Sequence, residues 1–456
     1  MVDADVAIVG GGISGLSAAR VLAARGLRVR LFERDASCGG VIKTDRIAGF
    51  VIDSGPDTLL AHKPAALALV SEVGLDCHLV SPSRDRTTYV LRNTRLRSLP
   101  ETSALGLPVD VKSLLTARAF TWRGRIRMAA EPMIPAGAPA ADESLSSFVG
   151  RRFGPEAVTY VAEPLLAGLH RGEAARLSVR ALFPALAQAE REHGSVARAW
   201  RKRRAQATAG SMSLRDGLGE LAARLEEQLT AAVVTTGSEI RRVERNDAFT
   251  LTLADGATVR ARAVLLATPA YETASLTAGL DRRLSELCGA IRYAPSISVA
   301  LGYRRQDVGN ALRGWGFVVP ARARKAVTSA SWVSSKWPDR APSGHVLIRA
   351  AVAAGRAADG DDEATIAGAH QDLAELLNIR GAPVIARAYC RPRAMPQMEV
   401  GHLDRMAAID GRLGSIPGLF ISASGFRSIG LADCIADAHA TADRLASHLR
   451  PPRSHM

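Results

Sequence analysis

The chain has 456 residues, of which 47% are hydrophobic and 23% charged, with a formal net charge of +14. This size and composition indicate a globular protein with two or three domains. The positive charge favours anionic partners, but aromatic residues make up only 5% and none interleave with a basic run, which argues against nucleic acid.

The five cysteines are odd in number, widely spaced and without a C-x-x-C pair: Cys38, Cys77, Cys288, Cys390 and Cys434. They fit neither a disulfide framework nor a metal site, so we expect a reducing compartment and no metal. No apolar run reaches the roughly 18 residues of a membrane span, and the first residues lack the pattern of a signal peptide. The expected location is the cytoplasm, with peripheral contact at the inner face of the membrane left open.

Residues 6–34 read as strand, glycine turn, helix and strand, ending in an acid. In such a βαβ unit Gly10 permits a tight turn, Gly12 lets the backbone approach a pyrophosphate, and Gly15 allows the helix to pack closely. Glu33 stands where a carboxylate accepts hydrogen bonds from ribose hydroxyls, which argues against NADP. The expected nucleotide contacts here are Gly10, Gly12, Ile13, Ser14, Gly15, Glu33 and Arg34.

A second glycine turn, Gly39-Gly40, follows the acid at once. It suits a ligand that continues past its pyrophosphate into the protein, as FAD does, although a plain hairpin turn has the same sequence. Near the other end, Gly430, Leu431 and Ala432 begin an alanine-rich helix. Its N-terminus would present N–H groups to the pyrimidine end of a flavin. Together these segments predict FAD.

The fold class predicted is α/β, with a discontinuous Rossmann-type FAD domain, a mixed α+β substrate domain and a helical insertion. The FAD domain is assigned to 1–85, 205–270 and 385–450, the substrate domain to 271–384, and the insertion, facing the substrate or a membrane, to 86–204. Predicted helices of the insertion are Asp110–Arg118, Glu143–Phe153, Glu156–Ala167 and Arg180–Glu192. Predicted elements of the substrate domain are the strands Ile297–Tyr303, Gly316–Pro320 and His345–Ala353 and the helix Asp362–Leu377.

No second G-x-G-x-x-G follows a predicted strand. A flavoprotein that exchanges hydride with NAD(P)H usually needs another phosphate loop. The pattern therefore favours an oxidase whose electron acceptor is oxygen or a quinone-like molecule.

The motifs together resemble the family of protoporphyrinogen oxidase and oxygen-dependent coproporphyrinogen III oxidase, within the flavin amine oxidase superfamily. The resemblance spans nearly the whole chain, including Gly55-Pro56-Asp57-Thr58, Phe183-Pro184, Met395-Pro396-Gln397 and Gly430-Leu431…Asp433-Cys434-Ile435. It implies FAD contacts by Gly55, Pro56, Asp57, Thr58 and Ile240 as well. It also implies oxidation of protoporphyrinogen IX or coproporphyrinogen III to the porphyrin in haem biosynthesis, with oxygen as acceptor.

Such a substrate carries propionates, which arginine or lysine side chains would hold. The candidates are Lys63, Arg92, Arg95, Arg97, Arg171 and Arg391. No side chain is assigned as a catalytic acid or base, since the protein's main task is to position a bridge carbon against the flavin. The choice between the two porphyrinogens and the oligomeric state stay open.

The chain departs from the family pattern near the expected ligand contacts. Arg391 stands where a tryptophan is frequent, Met398 replaces a tyrosine, and residues 168–173 and 423–428 differ at several positions. These departures keep two alternatives open. One is a flavin oxidase of the same superfamily acting on another small molecule, such as an amine. The other is a non-catalytic carrier resembling the GDP-dissociation inhibitors.

Overall fold

A computed structural model describes residues 2–99, 103–104, 107–108, 111–137, 142–203, 210–229, 233–356 and 361–450. The helices are α1 Ile13–Ala24, α2 Pro64–Glu72, α3 Val111–Thr116, α4 Trp122–Ala129, α5 Leu145–Phe153, α6 Pro155–Ala157, α7 Glu163–Leu169, α8 Val179–Leu182, α9 Pro184–His193, α10 Val196–Arg203, α11 Gly219–Gln228, α12 Ala270–Thr277, α13 Arg282–Gly289, α14 Val333–Lys336, α15 Asp362–Leu377, α16 His402–Gly414 and α17 Leu431–Leu449. A π-helical turn, Val158–Ala162, joins α6 to α7.

The strands are β1 Ala4–Val9, β2 Val29–Phe32, β3 Thr44–Ile47, β4 Phe50–Asp53, β5 Leu59–Leu60, β6 Leu79–Val80, β7 Thr88–Arg92, β8 Arg95–Ser98, β9 Ser103–Ala104, β10 Leu107–Pro108, β11 Ser211–Leu214, β12 Val234–Thr235, β13 Ile240–Arg245, β14 Phe249–Leu253, β15 Thr258–Leu266, β16 Tyr293–Arg304, β17 Gly316–Val318, β18 Val327–Trp332, β19 His345–Val352, β20 Ile385–Pro396 and β21 Leu419–Ile421.

The first large sheet has the order β12-β2-β1-β15-β14-β13, with β21 beside β15. Strands β12, β2, β1, β15 and β21 are parallel to one another, whereas β14 is antiparallel to β15 and to β13. Both faces are covered: Val6 and Ile8 pack under α1, α2, α11 and α17, whereas Ala7 and Val9 pack under α12, α13 and α16. Burial on both faces explains why the strand is a continuous apolar run.

The second large sheet has the order β20-β16-β19-β18-β17-β7-β8. Helix α15 covers one face through alternate apolar residues such as Ile348 and Ala350. On the other face, the β3–β4 hairpin contributes Phe50 against Leu347, and the helical insertion packs near Val90 and Val318. The middle of that second face lies between the β3–β4 hairpin and the helical insertion.

Two segments that the predicted division places in other domains are strands of the second sheet. Residues 385–396 form the β20 edge of the second sheet, although they were assigned to the FAD domain. Residues 88–98 form β7 and β8 at the opposite edge, although they were assigned to the helical insertion. Strand pairing across distant parts of the chain decides this, and local patterns carry no signal for it. The predicted boundary at 204–205 lies outside the described residues, and the domain division stays a prediction.

Most predicted elements of the insertion and the second sheet are present. Prolines account for the differences, because Pro184 lacks the N–H of a helix interior and separates α8 from α9 within the predicted helix Arg180–Glu192. In the part of the chain that the structure describes, no helix is both long and apolar enough to cross a bilayer.

Candidate active site

The two glycine turns meet at the carboxyl edge of the first sheet. Gly39 N donates to Gly11 O at 2.8 Å, and Gly12 and Gly39 form an isolated bridge. Gly39 and Gly40 have φ of 111° and 59°, a backbone region that glycine adopts without strain. A Cβ on Gly15 would stand 1.9 Å from Gly10 O, so only glycine lets α1 pack this closely. We call this arrangement the glycine cradle.

The described residues leave open space at Gly12, the N-cap residue of α1. A Cβ added to Gly12 would meet nothing within 4 Å. No side chain caps α1 or α17, whose N-cap residues are Gly12 and Gly430. Both helices follow parallel strands, so both N-termini lie at the same edge of the sheet. Uncapped N–H groups beside an open glycine surface fit a pyrophosphate and an electron-rich ring.

Glu33 closes the cradle at the end of β2. It is 9% exposed, and its carboxylate accepts from Gly11 N at 2.7 Å and from Asp35 N at 2.9 Å. Ser238 N donates to Glu33 O, which brings the start of β13 and Ile240 beside the acid. Arg34 instead donates to Glu272 on α12 at 2.8 Å. The acid and Ile240 thus lie together, and Arg34 turns to a surface ion pair.

The segment 53–58 is clamped between the sheets by buried charges. The Asp57 carboxylate lies 3.3 Å from Lys336 Nζ and 3.4 Å from Arg349 Nη2. Arg349 Nη1 also donates to Asp53 O and Gly55 O, at 2.6 and 2.8 Å. Burial alone would raise the pKa of Asp57, but Lys336 and Arg349 outweigh it and hold that pKa well below its usual range. Asp57 is therefore ionised.

Lys336 adds a second contact to the same segment. Its ammonium donates to Thr58 Oγ1 at 2.8 Å and lies 4.8 Å from the ring centroid of Trp337. Burial lowers its pKa, against the field of Asp57. We call Lys336, Arg349 and Asp57 the clamp. It joins the segment 53–58 to α14 and to β19 of the second sheet.

Small hydroxyl side chains lie on one face of the second sheet, on its middle strands. Ser329 and Ser331 of β18 pair with Ala351 and Arg349 of β19, and Ser298 of β16 also pairs with Ala351. Because paired residues point to one face, the three serines share the face of Arg349. We call it the serine face.

Arg171 lies at the rim of the serine face. A Cβ on Gly168, at the end of α7, would stand 3.0 Å from Ser329 Oγ. Gln397 Nε2 donates to His170 O at 3.0 Å, which ties the following turn to the end of β20. Arg171 has φ of 53°, and burial together with the charge of Arg349 lowers its pKa to about 10. The guanidinium stays charged at neutral pH.

The six predicted substrate cations are not brought together. Lys63 Nζ donates to Asp433 Oδ2 in the first turn of α17, and Arg391 Nη2 donates to Ser54 Oγ at 3.1 Å. Arg92, Arg95 and Arg97 lie on β7 and β8, at the sheet edge opposite β20. Six strand spacings separate β8 from β20, roughly 29 Å. The structure thus does not support one substrate site that contains all six.

Arg92 has partners of its own. It donates to Ala119 O at 2.7 Å, and its guanidinium lies 5.0 Å from the ring centroid of Tyr160. These contacts join β7 to the helical insertion. Arg92 is therefore a packing residue between the sheet and the insertion.

Lys336, Arg349 and the serine face were not among the predicted site residues. A signal for the serines is present: Ser296-Ile-Ser298 and Ser329-Ala-Ser331 alternate with apolar residues within strands. Alternation of small polar and apolar residues marks a strand with one unusual face. No local signal reveals that Arg349 reaches Asp57, because nearly 300 residues separate them along the chain.

Comparison with known proteins identifies the family of this chain. The family of flavin containing amine oxidoreductases matches residues 13–392. The chain belongs to this family. It is 31% identical to a coproporphyrinogen III oxidase of Bacillus subtilis, over 97% of this chain and 98% of that protein. It is 25% identical to protoporphyrinogen oxidase 2 of Arabidopsis thaliana, over 97% and 94%. A solved protein of Exiguobacterium, provisionally named a protoporphyrinogen oxidase, has a TM-score of 0.86 at 26% identity and covers 98% of this chain and 99% of its own.

These findings confirm the predicted resemblance, the fold class and FAD as the cofactor. The chain is an FAD-dependent oxidoreductase, not a carrier. The residues present fit the cofactor: the open surface at Gly12, the acid at Glu33 and the uncapped N-terminus of α17 lie at one edge of the first sheet. The assignment of individual contacts stays a prediction.

Proposed function

We propose that this flavoenzyme oxidises a porphyrinogen to the porphyrin in haem biosynthesis, with coproporphyrinogen III as the preferred substrate and oxygen as acceptor. The relatives named above act on porphyrinogens according to their names, and the match is nearly full-length. The observation that carries the choice of substrate is the charge at the serine face. Among the described residues, Arg171, Arg349, Lys336 and Arg340 provide four positive groups in this region, against two carboxylates, Asp57 and Asp53.

A surplus of buried positive charge fits a substrate with several carboxylates. Coproporphyrinogen III carries more propionates than protoporphyrinogen IX. An amine substrate is a cation at neutral pH, and the same charges would repel it. The alternative of an amine oxidase is therefore disfavoured by electrostatics as well as by the names of the relatives.

The protein's own residues would bind and orient rather than transfer protons. Bound FAD supplies the oxidising power by accepting a hydride. We propose that Gly10–Gly15, Glu33, Gly39-Gly40 and residues 55–58 and 430–432 hold it, with Asp57 fixed by Lys336 and Arg349. The serine face would give the flat macrocycle room next to the cofactor, and the surrounding packing would exclude water.

The deciding experiment is aerobic turnover of FAD-loaded protein with coproporphyrinogen III, protoporphyrinogen IX and putrescine in parallel. Porphyrin fluorescence should rise above the uncatalysed rate, fastest with coproporphyrinogen III. Faster reaction with protoporphyrinogen IX would reverse the substrate preference. Hydrogen peroxide release with putrescine alone would replace the proposal with amine oxidation.

We further propose peripheral contact of the helical insertion with an anionic membrane surface. Trp122, Ile126 and Met133 are 66%, 60% and 82% exposed, and Trp122 and Ile126 are one helical turn apart on α4. Arg118 and Arg123 are exposed beside them. The one acid between residues 117 and 137, Glu131, is buried and paired with Arg152. Exposed apolar side chains with adjacent arginines suit an interface of acidic lipid.

Sedimentation with vesicles tests this contact. The protein should bind phosphatidylglycerol vesicles and not phosphatidylcholine vesicles, and the double change Trp122→Ser, Ile126→Ser should abolish binding. Val384→Ser is the matched control, because Val384 is an exposed apolar residue on another element. Equal binding by the double variant and the unchanged protein would contradict the proposal.

A further inference from the structure

We propose that Arg171 binds a carboxylate of the substrate and thereby selects acidic macrocycles. This inference rests on the proposed function and goes beyond it by naming one binding residue and its ligand group. The starting observation is a polar atom without a partner. Arg171 Nη1 is buried and has no hydrogen-bond partner among the residues that the structure describes. A buried guanidinium donor without an acceptor is costly, and a ligand carboxylate would satisfy it.

The neighbouring groups leave this donor to a ligand. Arg349 Nη1 donates to Asp53 O and Gly55 O, and its Nη2 lies 3.4 Å from the Asp57 carboxylate. Burial lowers the pKa of His170 to about 4, so that ring is neutral and attracts no anion. Asp57 is already shared between Lys336 and Arg349. In the described part of the chain, no acid pairs with Arg171.

The backbone conformation at Arg171 also supports a role in ligand binding. Its φ of 53° is unusual for a residue with a Cβ, and strained positions of this kind cluster at ligand sites. Gly172 fixes the turn, because a Cβ there would stand 2.1 Å from Gln397 Oε1. The turn is thus held rigidly against β20, at the rim of the serine face. Among the described residues, no acceptor meets the Nη1 donor of this guanidinium.

Equilibrium binding of coproporphyrin III and of its uncharged tetra-amide to the FAD-loaded protein tests the inference, with fluorescence as the readout. The unchanged protein should bind the acid about 10–100-fold more tightly than the amide. Arg171→Ala should weaken binding of the acid about tenfold or more and leave the affinity for the amide within twofold. Arg171→Lys should recover part of the loss. Arg95→Ala, on the far edge of the sheet, is the matched control and should behave as the unchanged protein.

The Arg171→Gly variant tests whether a loss of binding could arise from a loss of stability. Glycine relieves the left-handed backbone, so this variant should melt at the same or a higher temperature while it loses the preference for the acid. An unchanged preference in Arg171→Ala, with normal binding by the unmodified protein, would overturn this inference alone. Absence of coproporphyrin binding by the unmodified protein would overturn the proposed function and this inference with it.

Discussion

The glycine cradle and the serine face are connected by the segment 53–58 but are built in different ways. The cradle is made of backbone: glycines, uncapped helix ends and one acid that holds the turn at Gly11. The serine face is made of side chains, with long cations that reach across from the second sheet to Asp57. A site made of backbone needs glycine, because a Cβ at an open position would occupy the space of the ligand. A side-chain site needs charges whose partners are supplied by distant parts of the chain.

We therefore expect changes in the two regions to have different effects, one on stability and the other on cofactor binding. Removing a charge from the serine face should unfold the protein more easily, because its partners are buried. Adding a methyl group at Gly12, the open position of the cradle, should leave the fold intact and exclude the cofactor. Four changes test this division, beginning with the largest expected effect.

Asp57→Asn should lower the free energy of unfolding by about 3 kcal/mol, because Lys336 and Arg349 lose their buried counter-charge. Urea denaturation of the FAD-free protein measures it. Asp247→Asn is the control: its ion pair with Arg260 is exposed, and no measurable change is expected. A loss no larger than that of the control would show that the clamp does not stabilise the fold.

The loss of stability in Asp57→Asn should depend on pH. The pKa of Asp57 is held below its unfolded value, so its contribution to stability is present above about pH 4 and is lost as the pH falls through the lowered pKa. The difference in stability between the unchanged protein and Asp57→Asn should therefore be constant from pH 6 to 8 and shrink below about pH 4. A constant difference throughout would contradict the assigned ionisation.

Gly12→Ala should weaken FAD binding at least about 100-fold, or about 2.8 kcal/mol. The added methyl group meets no protein atom within 4 Å and the φ of −70° is ordinary, so the FAD-free protein should melt normally. Titration followed by flavin fluorescence measures the affinity. Gly279→Ala, also in open space, should bind FAD as before. Normal affinity of Gly12→Ala would place the pyrophosphate elsewhere.

Glu33→Ala should weaken FAD binding by about 1–3 kcal/mol, through lost ribose hydrogen bonds and a less ordered turn at Gly11. Glu33→Gln keeps an acceptor and should lose less. The same titration applies, and unchanged affinity of the alanine variant would refute the assignment of the acid.

Arg95→Ala should produce the smallest effect, with kcat and KM for coproporphyrinogen III unchanged. The residue is exposed on β8, roughly 29 Å of strand spacings from β20. Steady-state fluorescence assays measure it. A tenfold rise in KM would mean that the substrate extends to the far edge of the second sheet.

Local patterns were sufficient for the cradle and insufficient for the serine face. The turn Gly10–Gly15, the acid Glu33 and the second turn at Gly39-Gly40 lie within about one βαβ unit, where spacing along the chain fixes spacing in space. The six candidate cations were chosen by their place along the chain, and a charge near a motif does not indicate the sheet in which it will lie. Arg92, Arg95 and Arg97 follow the FAD segment in sequence but pair into the second sheet.

The sequence by itself determined the parallel βαβ unit, the cofactor, the family and most helices, because each depends on residues close together along the chain. Only the tertiary structure decided that β7, β8 and β20 join one sheet and that Arg349 and Lys336 clamp Asp57. It also decided that Arg171 has a buried donor with no partner among the residues that the structure describes. These features depend on the pairing of strands and charges hundreds of residues apart. Their energies arise from burial and contact, which exist only after the chain has folded.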